Sequence, residues 1–331
     1  MGAPTLDRRV LLGALAGALL AAPVAAWAQP GKVVRIGFLS PASASDPRML
    51  GLLDAFRRGL VELGYVEGRA FRIESRWAEG RYERLPRLAA ELVALRVDVI
   101  LTVAVPAIRA AMETTRTIPI VMASVVDPVA TGLVASLARP GGNITGLSNM
   151  APDVTGKLLE ILKQLVPNAS RVAVLWNPGN PGNAPQLRAA EAAGQALGIR
   201  LQALDARTPD DLDPAFAAMS RQRADALLVF ADVMLNEQRV RIAGLAAAGR
   251  LPAAYGQEGP AGGLITYSAN TPDLFRRSAT YVDRIVKGAK PGDLPVEQAT
   301  RFDLIIDLKA ARALGLTIPQ SLLLRADQII E

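Results

Sequence analysis

The sequence predicts an α/β protein of two similar lobes, each a parallel sheet covered by helices, with a ligand cleft between them. Three observations carry this expectation. From residue 33 onward, short apolar runs rich in β-branched residues alternate with amphipathic stretches. A set of five such runs is followed by a second set of five. The chain has 331 residues and is 50% hydrophobic, enough for two cores at a usual domain size of roughly 100–200 residues. Continuous apolar strands separated by helices need cover on both faces, which is the signature of a parallel sheet.

In chain order, the first lobe opens with a strand over 33–40. A helix over 49–63 follows: Leu52, Leu53, Phe56, Leu60 and Leu63 share one face, while Arg57, Arg58 and Glu62 fall outside it. Gly64, in Leu63-Gly64-Tyr65, is the expected left-handed stop. Strands over 71–77, 97–103, 118–124 and 143–148 then alternate with helices over 85–95 and 105–115. Pro119 falls early in the fourth strand, where a missing N–H is tolerated. Turn residues at 149–153 mark the junction and open a helix over 154–166. The second set of strands falls at 171–177, 200–204, 226–230, 251–255 and 264–267. Local details repeat as well: Leu197-Gly198-Ile199 copies the helix stop, and Pro252 copies the early proline. A helix over 274–286 and a tail from 302 follow. The expected division is 32–149 plus 272–298 for lobe one and 150–271 plus 299–331 for lobe two.

Residues 1–28 stand apart from this pattern. Arg8-Arg9, an apolar stretch over 10–22, Pro23 and Ala26-Trp27-Ala28 make a charged, apolar and cleavage-site sequence. It reads as a secretory signal peptide cut near Ala28, and it is too short to span a bilayer. Asp7 stands where a twin-arginine signal more often has Ser or Thr, so Sec and twin-arginine export both remain open. No cysteine follows for lipid attachment, and the expected location is the periplasm.

The absence of His and Cys excludes Ser-His-Asp and Cys-His nucleophiles, thiolate or imidazole zinc sites and disulfides. Chemistry built on carboxylates, Lys, Tyr or Ser remains. Lys and Arg number 37 against 31 Asp and Glu, and the basic residues are dispersed. A nucleic-acid groove needs a basic stripe with interleaved aromatics, and the chain has neither, so no nucleic-acid partner is expected.

Ligands of open parallel sheets sit beyond the carboxyl ends of the strands, at helix N-termini. Thr102-Val103-Ala104-Val105-Pro106 ends the third strand and opens a helix, a natural seat for a carboxylate. Ser124-Val125-Val126-Asp127-Pro128 reads as the same device, with Asp127 as N-cap and Pro128 in the first turn. The loop Asn177-Pro178-Gly179-Asn180-Pro181-Gly182 matches neither G-x-G-x-x-G nor a Walker A loop, so no nucleotide is expected. Trp77 and Trp176 close strands and serve either core or cleft. Asp232, Tyr255 and Tyr267 stand at second-lobe strand ends, and Asp127 and Asp232 are the anions available to a ligand ammonium group.

Several stretches carry a family resemblance. They include Glu62-Leu63-Gly64-Tyr65-Val66-Glu67-Gly68, Trp77-Ala78-Glu79-Gly80, Pro140-Gly141-Gly142-Asn143-Ile144-Thr145-Gly146 and Lys287-Gly288-Ala289-Lys290-Pro291. With these the chain resembles the ABC transporter substrate-binding proteins, in the branch that includes tryptophan- and phenylalanine-binding members. The resemblance implies a type I periplasmic binding protein: two Rossmann-like lobes, three crossing segments and a ligand between them. It implies a monomer that binds a small organic solute and delivers it to a transporter permease, with no catalysis, cofactor or metal; it does not name the solute, and the helix N-termini with Asp127 and Asp232 point to one that is amino-acid-like or a carboxylate. Carried over by position, the cleft would be lined from Ser40, Thr102, Ala104, Ser124, Asp127, Asn177, Asp232 and Tyr255. The loop over 257–262 is short beside the usual family pattern, which affects the second lobe's rim. The competing reading is a secreted carboxylate- or Lys-dependent enzyme on a two-lobe fold, which would show a close carboxylate pair with shifted pKa values in the cleft. A transcription regulator of this fold would need an N-terminal helix-turn-helix, where the export signal stands instead.

Overall fold

The computed structural model describes residues 33–257 and 263–331, so the expected signal peptide and most of the 257–262 loop lie outside the described residues. The first five strands are β1 (Val34–Ser40), β2 (Phe71–Trp77), β3 (Val99–Val103), β4 (Ile120–Val125) and β5 (Ile144–Ser148). The next five are β6 (Arg171–Trp176), β7 (Arg200–Asp205), β8 (Ala226–Val229), β9 (Ala253–Tyr255) and β10 (Ile265–Ala269). Three short strands follow, β11 (Glu297–Gln298), β12 (Phe302–Asp307) and β13 (Gln328–Ile330). One sheet has the order β11-β5-β4-β3-β1-β2 and the other β13-β12-β10-β9-β8-β6-β7. The cores of the two sheets have one topology: β2-β1-β3-β4-β5 corresponds to β7-β6-β8-β9-β10. All pairings are parallel except β10 with β12, so the tail from Phe302 extends the second sheet.

Helices connect the strands: α1 (Pro47–Glu62), α2 (Leu85–Ala94), α3 (Val105–Thr114), α4 (Ala151–Leu165), α5 (Asn183–Ala196) and α6 (Leu212–Arg221). Five more follow: α7 (Val233–Glu237), α8 (Arg239–Ala248), α9 (Thr271–Val286), α10 (Leu308–Leu314) and α11 (Gln320–Leu323). On one face of the first sheet, Phe56 of α1 and Phe275 and Tyr281 of α9 pack with Phe38. On the other, Leu88 and Leu92 of α2 pack with Ile108 of α3. The second sheet is covered in the same way, by α4 and α5 on one face and α6 and α8 on the other. Both faces of both sheets are therefore dry, as continuous apolar strands require.

Helix α1 shows how local sequence sets these elements. Asp46 caps it by accepting from Arg48 N–H, and Pro47 occupies the first turn, where its lack of an N–H costs nothing. Gly64, at φ 89°, ends it: Gly64 N–H donates to Val61 O and Tyr65 N–H to Leu60 O. Gly198 and Ile199 repeat both bonds at the end of α5, to Gln195 O and Gly194 O, so the duplicated glycine is a duplicated Schellman stop. Leu63, expected on the apolar face, is instead the exposed cap residue, because the helix has ended before it.

The chain passes between the sheets three times: after β5, after β10 and after β11. The passages are stitched together. Ala299 N–H donates to Ser148 O at 2.8 Å, Asn270 N–H to Arg301 O at 3.0 Å, and Arg277 pairs with Glu297.

One expected element is absent. Asp127 caps no helix, because Gly132 at φ 70° stops the chain after a single turn in which Thr131 N–H and Oγ1–H both donate to Asp127 O.

Candidate ligand site

The carboxyl ends of the two sheets face each other across a cavity of about 80 Å³. Each sheet reverses its strand order beside its first strand, between β1 and β3 and between β6 and β8, which is where crevices open in such sheets. On the first-lobe side the wall includes Arg48, Ala104 and Ser124; on the second-lobe side it includes Asn180, Asp232 and Gln257. Asn149, Ser268 and Thr271 come from the crossing segments. Helices α1, α3, α4, α7 and α9 all begin at this cavity, so their first-turn amides and positive dipole ends converge on it.

Of the eight residues expected in the cleft, the structure brings Ala104, Ser124 and Asp232 to the wall. Ala104 has φ 64° and ψ 144°, a conformation that costs a side-chain-bearing residue strain and turns the chain from β3 into α3. Ser124 reaches the wall through a bulge: Thr102 pairs with Met122 but Val103 pairs with Ser124, so Ala123 is the extra residue. Its Oγ accepts from Asn149 Nδ2 at 3.2 Å.

The other five stand elsewhere. Ser40 Oγ accepts from Ala42 N–H at 3.2 Å, and Thr102 Oγ1 donates to Leu39 O at 3.0 Å; both are fully buried braces of the strand ends. Asn177 lies behind Asp232 and donates to its Oδ1 at 3.3 Å. Tyr255 packs in the core beneath the cleft, where burial pushes its phenol pKa up. Asp127, having no helix to cap, accepts from Ala130 N–H at 2.9 Å in an exposed turn away from the cavity. The expectation that residues 124–127 present helix N-terminal amides to a ligand is thereby corrected.

Asp232 is 3% exposed and four donors reach its carboxylate. Asn177 and Leu235 N–H donate to Oδ1, Asn180 donates to Oδ2 at 2.9 Å, and Tyr82 donates to Oδ2 from across the cleft at 3.1 Å. Burial pushes its pKa above the ordinary carboxylate range, and the hydrogen bonds pull against that shift. The Tyr82 hydroxyl is pushed well up by its own burial and by the Asp232 charge. Two more contacts join the lobes. Ser43 N–H donates to Glu237 Oε1 at 2.7 Å. With the Asn236 carboxamide oxygen facing it, Arg48 donates from Nε and Nη1 at 3.2 Å. These bonds hold the lobes closed around the cavity.

The polar residues that sequence reasoning missed include Arg48, Tyr82, Asn149, Asn180, Gln257, Ser268 and Thr271. Only Arg48 left a local signal: Asp46-Pro47 is a cap-and-proline start directly after β1, which puts the next residue in a first turn facing the strand ends. Among the described residues, no group of His, Cys, Asp or Glu could hold a metal ion, and no helix is long and apolar enough to cross a membrane.

Two doubly wound lobes around a cavity ringed by helix N-termini define the type I periplasmic binding protein class, whose members hold a small molecule between their lobes. The chain belongs to the ABC transporter substrate-binding protein family, whose model matches residues 42–330. Proteins of this kind bind small molecules outside the cytoplasm and work with a transporter permease. The chain is 25% identical over 263 residues to a tyrosine-binding protein of Clostridioides difficile, covering 79% of this chain and 75% of that one. A domain solved in complex with L-Trp from Streptococcus pneumonia matches with a TM-score of 0.84 and 26% identity, over 90% of this chain and 100% of that one. A ligand-free, open substrate-binding protein with adhesive properties from Clostridium difficile matches with a TM-score of 0.66 and 23% identity, over 90% and 99%.

Proposed function

We propose that this protein is the periplasmic, monomeric receptor of an ABC importer, exported by a signal peptide cut near Ala28, and that it captures an amino-acid-like solute or carboxylate by hinged closure. The hinge runs through the three crossings, with lobe one as 32–149 plus 272–298 and lobe two as 150–271 plus 299–331. The observation that carries this reading is the interlobe cavity, with helix N-termini around it and hydrogen bonds from Ser43, Tyr82 and Arg48 across its mouth. At equal coverage of this chain, the higher TM-score to the L-Trp complex than to the ligand-free open structure supports a closed, ligand-ready state. The relatives' printed ligands, tyrosine and L-Trp, support an amino-acid-like solute.

An enzyme is disfavoured by the state of the carboxylates. Asp232 and Glu237 both have raised pKa values, but among the described residues Asp232 is the one carboxylate on the wall, and its four lone-pair sites are filled by four donors. Among the described residues, no wall carboxylate is left to move a proton on a guest. Native mass spectrometry of the protein purified from its periplasm tests the proposal. One small organic molecule per chain is expected, released on unfolding and rebound in calorimetry. Protein that carries nothing and binds no amino acid or carboxylate would refute it.

A further inference from the structure

Among the described residues, the apolar wall of the cavity is aliphatic throughout: Met49, Leu52, Val103, Val126, Val154 and Ala269. Among the described residues, no aromatic ring borders it. An aromatic guest would gain none of the stacked or edge-to-face contacts that aromatic pairs add beyond area burial. An aliphatic side chain suits that wall better than an aromatic one.

The polar half of the guest meets Ser268. This residue is the last but one of β10, lies on the cavity wall, is 2% exposed, and its Oγ has no hydrogen-bond partner. Buried hydroxyls are rarely left unpaired, and a solute oxygen or nitrogen in the cavity would satisfy this one. Asp232 is placed differently, because its four donors already fill it.

We infer that the receptor selects an aliphatic carboxylate or amino acid over an aromatic one, and that the Ser268 hydroxyl is one of its polar contacts. This rests on the reading of the protein as a receptor for an amino-acid-like solute or carboxylate, and narrows that reading away from the aromatic ligands named for its relatives.

The test is calorimetric titration of the full mature chain, dialysed free of solute, with L-valine, L-leucine, 2-oxoisocaproate, L-phenylalanine, L-tyrosine and L-tryptophan. The best aliphatic ligand should bind at least tenfold more tightly than any aromatic one, and the leucine and oxo-acid arms distinguish an amino acid from its oxo counterpart. Ser268→Ala should weaken that ligand by about threefold to tenfold, with the ligand-free melting temperature unchanged or raised, since an unpaired buried hydroxyl is removed. Equal or tighter aromatic binding overturns the aliphatic assignment and leaves the receptor reading standing. Unchanged affinity in Ser268→Ala overturns the serine contact. Silence from the whole panel overturns the amino-acid-like reading and this inference together, and the wild-type titration decides the aliphatic assignment even if the variant fails to fold.

Discussion

Tyr82 and Asp232 meet only because the lobes are closed, and the bond between them separates two roles that Asp232 combines. Its side chain caps α7 through Leu235 N–H and also receives Tyr82 from the other lobe. Removing Asp232 therefore costs a cap, worth about 0.5–2 kcal/mol, besides any effect on closure. Tyr82→Phe isolates the closure term. The closed form loses one hydrogen bond to a buried carboxylate, so ligand affinity should fall by about 1.5–3 kcal/mol while unfolding of the ligand-free protein is unaffected. Calorimetry and a thermal melt read the two effects separately; unchanged affinity would show that the bond does not contribute to closure. Sequence placed Asp232 correctly at a strand end, but nothing local to Tyr82 pointed to a partner 150 residues away.

At the scale of elements, the stretch Pro140-Gly141-Gly142-Asn143-Ile144-Thr145-Gly146, which carried much of the family resemblance, serves the fold. Asn143 Nδ2 donates to Thr115 O and Ile118 O, and Thr145 Oγ1 donates to Leu294 O, so the stretch ties β5 to its neighbours. Gly146 has φ 140°, and a Cβ there would lie 2.2 Å from Met122 O. Backbone cannot yield as a side-chain tip can, so Gly146→Ala should destabilise the protein by about 1–3 kcal/mol or more. A chemical denaturation curve measures it, and an unshifted midpoint would refute the close approach. The two Schellman stops were legible because the glycine and its bonding partners are neighbours in the chain. The bulge at Ala123 was not: it exists only in the register between β3 and β4, and it brings Ser124 to the wall.

At the scale of the whole molecule, closure is coupled to pH through Glu237. Burial raises its pKa, as do the charges of Asp46, Glu79 and Asp232, against the lowering effect of Ser43 N–H. Opening the lobes re-exposes the carboxylate and moves its pKa back toward the ordinary value, so the closed form binds the proton more tightly. Between the ordinary and the raised value, closure is therefore strongest at the acid end and weakens as pH rises, and Asp232 shifts in the same direction. Glu79 shifts the other way, but its bonds to Ser43 Oγ and Ala44 N–H lie within one lobe and persist on opening. Ligand affinity should accordingly fall with rising pH, and Glu237→Gln, which keeps the acceptor for Ser43, should tighten binding at neutral pH and flatten the profile. A titration series over pH checks this; a profile that rises with pH, or an unaltered one in the variant, would overturn it. The same division runs through the whole protein. Apolar periodicity, caps, glycine stops and the repeated set of strands act within a turn or two of chain, so the sequence by itself determined two doubly wound lobes and the strand ends that face the cavity. Which side chains line the cavity was decided by tertiary structure. A wall built from two lobes and three crossings depends on register, on one bulge and on how the lobes close, and none of these is a property of neighbouring residues.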